Sequence, residues 1–104
     1  MTLNREQILS AKDREIIVLD IPEWGGEVRL MAFSGGSAES ISPEDSISKV
    51  VALSIIDDNG NLVFSEEDID ALKTRSARVL KRVFDEALKL NGLGDNAIED
   101  ATKN

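Results

Sequence analysis

The hydrophobic pattern is strongest between Lys49 and Gly92, and the rest of the chain is arranged about that stretch. Val50-Val51-Ala52-Leu53-Ser54-Ile55-Ile56 is apolar and rich in β-branched residues, which predicts a largely buried strand. Asp57-Asp58-Asn59-Gly60-Asn61 follows, where Asn59-Gly60 suits the positive φ angles of a tight turn, and Leu62-Val63-Phe64 reads as the short return strand. Ser65 is placed as a helix N-cap, with its hydroxyl accepting from the Asp68 N–H and the Asp68 carboxylate reaching back in a shortened capping box. Glu66, Glu67 and Asp68 put negative charge in the first turn, where the helix dipole favours it. From there Ile69, Leu72, Ser76, Val79, Val83 and Leu90 form an apolar or small stripe at helical spacing, widened by Leu80, Phe84 and Leu88. Lys73, Arg78, Lys81, Arg82, Asp85, Glu86 and Lys89 fall mostly on the opposite side, and Asn91-Gly92 ends the helix. A break near Thr74 would divide this element into a short helix over Asp68 to Lys73 and a longer one after it.

Upstream, Thr2 to Leu9 reads as a short helix capped by Thr2 or Asn4, with Ile8 and Leu9 turned inward. Arg14 to Ile21 predicts a strand whose run Ile16-Ile17-Val18-Leu19 is apolar at every position, the pattern of a strand covered on both faces. Pro22 ends it, Glu23-Trp24-Gly25-Gly26 turns the chain, and Val28, Leu30 and Ala32 alternate with Arg29 and Met31 in the antiparallel return strand. Between Ser34 and Ser48 the composition shifts to Ser, Gly, Glu and Pro, which predicts a flexible loop with one helical turn after Ser37 or after Pro43. The polar tail over 94–104 has room for a final short helix through Ala97, Ile98 and Ala101. The expected fold is a single α+β domain over 1–104, a small antiparallel sheet of two hairpins packed against one long amphipathic helix with short terminal helices.

Charge narrows the function. A net charge of -8 argues against nucleic acid as partner and against anionic membrane surfaces, both of which call for a basic face. The chain has no Cys and no His, so thiol chemistry, the usual zinc ligands and the usual neutral-pH base are missing from its repertoire, and no cofactor is indicated. With no apolar run long enough to span a bilayer and no basic-then-apolar amino terminus, the expectation is a cytoplasmic protein.

Few stretches invite a chemical reading. Asp57, Asn59, Asn61, Val63 and Asp68 fall at the ligand positions of a calcium loop, but Gly60 comes too early for its sharp turn and no Glu closes it, so a plain hairpin turn is the better reading. Ser34-Gly35-Gly36-Ser37 is glycine-rich yet lacks the lysine of a phosphate loop. The twenty acidic residues do not cluster with a nucleophile or a ligand set, which leaves a solvated acidic surface and no catalytic residue. Trp24, the single tryptophan, either caps the core beneath its Gly-Gly turn or stands out as an aromatic anchor for a partner.

The order of motifs carries more than any one of them. Ile21-Pro22-Glu23-Trp24-Gly25-Gly26 with Val28, then Leu53-Ser54-Ile55-Ile56-Asp57-Asp58-Asn59-Gly60, Leu62-Val63-Phe64-Ser65, Asp68-Ile69 and Leu72, then Leu80-Lys81-Arg82-Val83-Phe84 through Leu90-Asn91-Gly92-Leu93, resembles the tail assembly chaperones of long, non-contractile-tailed phages and their prophages. The resemblance covers nearly the whole chain. It departs at Ser34-Gly35-Gly36-Ser37-Ala38-Glu39-Ser40-Ile41, where relatives tend to carry a Gly-x-Glu-Arg-Asp type segment and a helix.

The resemblance implies a non-enzymatic viral protein of the host cytoplasm, absent from the mature virion. It would coat the aggregation-prone tape measure protein and recruit tail tube protein, which then replaces it, and many copies along a fibrous client imply a homo-oligomer. Exposed apolar patches would serve such a role, with the charged remainder keeping the protein soluble. The candidate partner-binding residues are Trp24 with its turn and Val79, Val83, Phe84 and Leu90 on the part of the Arg75 to Leu90 helix face left uncovered by the sheet. The resemblance also implies a longer form made by programmed frameshift, and Thr102-Lys103-Asn104 can be encoded by ACA-AAA-AAC, which contains a slippery heptamer. A competing reading is an acidic inhibitor or DNA-mimicking module, which would gather the carboxylates on one face.

Overall fold

The computed structural model describes residues 1–42, 45 and 47–92. Its order is α1 (Arg5–Leu9), β1 (Ile16–Ile21), a 3-10 turn (Pro22–Trp24), β2 (Gly26–Met31), α2 (Gly35–Ser40), α3 (Ile47–Ser54), β3 (Ile55–Ile56), a second 3-10 turn (Glu66–Asp68), α4 (Ile69–Leu72) and α5 (Ala77–Leu90). The sheet is antiparallel with strand order β1-β2-β3, so the expected α+β architecture holds.

β1 and β2 form the predicted hairpin, in a register that sets Ile17 opposite Leu30 and Leu19 opposite Val28 on the core side. Pro22 at the start of the 3-10 turn pre-sets φ, and Gly25 at φ +80° adopts the left-handed conformation that turns the chain. β1 is not covered on both faces as its four-residue apolar run suggested. Burial alternates along it, with Ile16 and Val18 44% and 55% exposed, so among the described residues only one face of the strand packs on the core.

The largest departure lies at Lys49 to Ile56. The predicted strand is confined to Ile55–Ile56, and Ile47–Ser54 is the helix α3, packed against α5. A run apolar at every position satisfies a buried helix as well as a buried strand, and packing against α5 overrides the β preference of Val50 and Val51. Ser48, Val51, Ala52 and Ile55 are buried at helical spacing. Ser54, fully buried, donates its hydroxyl to the Val50 carbonyl at 2.8 Å, an intrahelical bond that satisfies the group without a cross-strand partner.

The turn after β3 forms as expected, though with one positive φ rather than two: Gly60 is at +86° and no other residue of the turn is left-handed. Asp57 organises it, its Oδ1 accepting from the N–H of Asn59 at 2.8 Å and of Asn61 at 3.0 Å. The return strand shrinks to a single bridge between Ile56 and Leu62, so the second hairpin is a tight turn closed by one pair. Ser65 donates its N–H and its hydroxyl to Asp68 Oδ2 at 2.9 and 3.1 Å, closing the return arm of the capping box. The helix is broken near Thr74, α4 ending at Leu72 and α5 starting at Ala77 with Ser76 as its cap.

α2 occupies six residues where the composition suggested loop, beginning after Ser34, whose hydroxyl accepts from the Ser37 N–H. The region that departs from the resemblance therefore still carries a helix. α1 is held by a capping box between Asn4 and Gln7, but Ile8 and Leu9 point to solvent, not inward, because five residues anchored only at their own cap gain no packing against the core. The suggested helical turn after Pro43 and the proposed final helix of the tail lie outside the described residues. The core gathers Ile21 and Leu30 from the hairpin, Val51, Ala52 and Ile55 from α3 and β3, Leu72 from α4, and Val79, Leu80 and Val83 from α5.

Candidate protein-binding surface

The 3-10 turn places Trp24 at one end of the hairpin, where the indole is half-buried with one side on the core and the other open. The readings of Trp24 as core cap and as surface aromatic thus describe two sides of one ring. Phe64, delivered by the turn after β3, is likewise half-buried. Trp24, Phe64, Ala71 and Leu72, with Glu23 and Arg75 on the rim, border an open groove of about 600 Å³. A shallow apolar groove with charged margins suits a protein segment carrying a large apolar side chain.

The groove's margin is pinned by one ion pair. Arg82 on α5 donates to both Glu23 carboxylate oxygens, at 3.0 and 2.6 Å, bridging 59 residues of sequence. This hydrogen bonding, with help from the Glu23 backbone, lowers the Glu23 pKa to about 2 and raises that of Arg82. The Trp24 turn is therefore tied to α5, which fixes the indole relative to the helix.

The residues expected from sequence divide by burial. Val79 and Val83 are 2% and 0% exposed, so in the single chain they hold the core and present nothing to a partner. Phe84 and Leu90 pack on the same core but are only partly covered. Asn91 anchors the end of α5 to the chain after β2: its Oδ1 accepts from the Phe33 N–H and its Nδ2 donates to the Ala87 carbonyl, both at 2.7 Å. Phe64 and Ala71 were missed because the groove joins segments whose proximity depends on the α3 helix and the break before α5. Their signal was the pair of aromatics, Trp24 and Phe64, each beside a turn.

Charge is interleaved. Lys81 pairs with Asp85 at 3.1 Å, Lys89 with Glu86 at 3.4 Å and Lys73 with Asp70 at 3.5 Å. This dispersal is the opposite of the single acidic face that a DNA mimic requires. Among the described residues no three or more acidic side chains converge as a metal site, and no helix is long and apolar enough to cross a membrane.

No family model matches the chain, and no curated protein does so. Among solved structures it is similar to the tail assembly chaperone of bacteriophage HK97, with a TM-score of 0.59 and 22% sequence identity, over 82% of this chain and 94% of that one. At that identity the similarity is one of fold.

Proposed function

We propose that this chain is a phage tail assembly chaperone: a non-enzymatic protein that binds the tape measure protein and recruits tail tube subunits in the host cytoplasm, and is left out of the finished virion. The observation that carries this reading is the fold shared with the HK97 tail assembly chaperone across nearly all of that chain. The ordered motifs from Ile21 to Leu93 point the same way in the sequence itself.

In this reading the Trp24 and Phe64 groove takes apolar side chains of the client, and the part-exposed Phe84 and Leu90 extend the contact along α5. Val79 and Val83 act through the fold. The net charge of -8 keeps the chaperone soluble while its apolar surface is unoccupied.

The test is co-expression with the tape measure protein encoded beside it, scored as soluble complex. The expected result is a tape measure protein that stays soluble only with this chain, and loss of that effect in a Trp24→Ala variant whose circular dichroism is unchanged. A tape measure protein that neither binds nor gains solubility, with the short chain or with any frameshifted longer form, would remove the assignment. Sequencing the gene separately tests the frameshift, which requires a slippery heptamer over the codons of Thr102, Lys103 and Asn104.

A further inference from the structure

The Trp24 groove does not end at its apolar wall. A second open cleft of about 550 Å³, bordered by Ser76, Arg78 and Val79, shares Glu23, Trp24 and Arg75 with it, so the two are continuous at the indole and the Arg75 side chain. One half offers Phe64, Ala71 and Leu72; the other offers cations. Arg75 lies in the connection between α4 and α5 and Arg78 in the first turn of α5, and both are exposed.

The charges around these clefts do not all cancel in pairs. Glu23 has both carboxylate oxygens on Arg82, at 3.0 and 2.6 Å, and Asp68 Oδ2 accepts from the Ser65 N–H and hydroxyl. Arg75 reaches only the Thr74 hydroxyl, at 3.5 Å, and the Arg78 side chain makes no hydrogen bond or ion pair among the described residues. Further along α5 the lysines are matched, Lys81 by Asp85 and Lys89 by Glu86. Two guanidiniums are thus left over beside the apolar wall, in a chain whose net charge is -8.

An occupant of the apolar half would also cover Arg75, which borders both halves. A guanidinium removed from water without an acceptor is costly, so an all-apolar occupant is disfavoured there. A purely acidic occupant fares no better, because exposed ion pairs contribute little and the overall charge of the chain repels it. Only an occupant with both parts satisfies both halves. We propose that the two clefts form one site for an acidic-apolar segment of a protein client: its large apolar side chain lies against Trp24 and Phe64, and a carboxylate within one helical turn of that side chain accepts from Arg75 and Arg78. The planar, forked donors of arginine suit a carboxylate better than the point charge of lysine would. The inference rests on the chaperone reading and adds to it which stretches of the client are chosen.

Peptides of about 15 residues tiled along the tape measure protein encoded beside this chain, titrated with the full chain, test it. The expected result is that the bound peptides pair a large apolar residue with an Asp or Glu within one helical turn, and that binding weakens as salt rises. Replacing the peptide's carboxylate by its amide should cost wild type about 3-fold to 10-fold in affinity and cost Arg75→Gln/Arg78→Gln nothing further. Lys81→Gln/Lys89→Gln alters the net charge equally but outside both clefts, and should leave the cost of the amide intact. The Arg75→Gln/Arg78→Gln variant should melt with wild type, since both side chains are exposed and make no ion pair among the described residues. Bound peptides with no excess of acidic residues, or an amide peptide that binds wild type as tightly as its parent, would overturn the proposal and leave the chaperone reading in place. Failure of every peptide and of the whole tape measure protein to bind would remove both. Self-association that Arg75→Gln/Arg78→Gln abolishes, with peptide binding unchanged, would assign the clefts to a second copy of the chain and overturn the proposal as well.

Discussion

Asn91 offers the sharpest test of how α5 is held to the sheet, because one side chain joins the two. Its Oδ1 accepts from Phe33 N–H and its Nδ2 donates to the Ala87 carbonyl, both at 2.7 Å and both half-buried. Asn91→Ala strands the Phe33 N–H, at a cost of about 1–2 kcal/mol, the lower part of the range for an orphaned group because water retains some access. The Ala87 carbonyl still accepts from the Asn91 backbone N–H at 3.2 Å, so losing the second bond adds only about 0.5 kcal/mol. A total near 2 kcal/mol, divided by an unfolding entropy of about 0.2 kcal/mol/K for a chain of this length, lowers Tm by roughly 9 °C. Asn91→Asp keeps the acceptor for Phe33 but loses the side-chain donor and sets a negative charge at the helix carboxyl end, so about half that loss is expected. Thermal unfolding followed by circular dichroism, with amide exchange at Phe33, reads both effects. A variant Asn91→Ala melting within about 2 °C of wild type, or an unchanged Phe33 exchange rate, would refute the reasoning.

Two further outcomes follow from the same geometry. Arg82 holds the folded-state pKa of Glu23 at about 2, below its ordinary 4.5, so the pair's contribution to stability is complete above the unfolded value and is lost as pH falls from about 4.5 to about 2. Tm should therefore drop more steeply across that window in wild type than in Glu23→Gln, and more steeply at low salt than at high; parallel curves would show that the pair does not act. Gly60 sits at φ +86° with open space around it except for Met31 Cε at 3.8 Å from where a Cβ would lie, so Gly60→Ala should cost about 1–2 kcal/mol by backbone strain alone, measured by denaturant unfolding.

What could be read in the sequence was whatever a local rule decides. The β1–β2 hairpin was legible from Pro22 and the Gly25-Gly26 turn, and the turn after β3 from Asn59-Gly60. The α5 stripe marked Val79, Leu80 and Val83 as one apolar face, but Val79 and Val83, expected at a partner surface, lie in the core. Local rules failed where only packing decides. Val50 and Val51 prefer strand, but α3 packs against α5, and that contact outweighs the preference. The exposed face of β1 was legible in principle, since Arg14 and Asp20 share a side with Ile16 and Val18, though four apolar residues in a row concealed it. The same rules left the binding residues unsorted: helical spacing puts Val83 and Phe84 on one broad stripe, and only the covering elements separate the buried valine from the part-exposed phenylalanine.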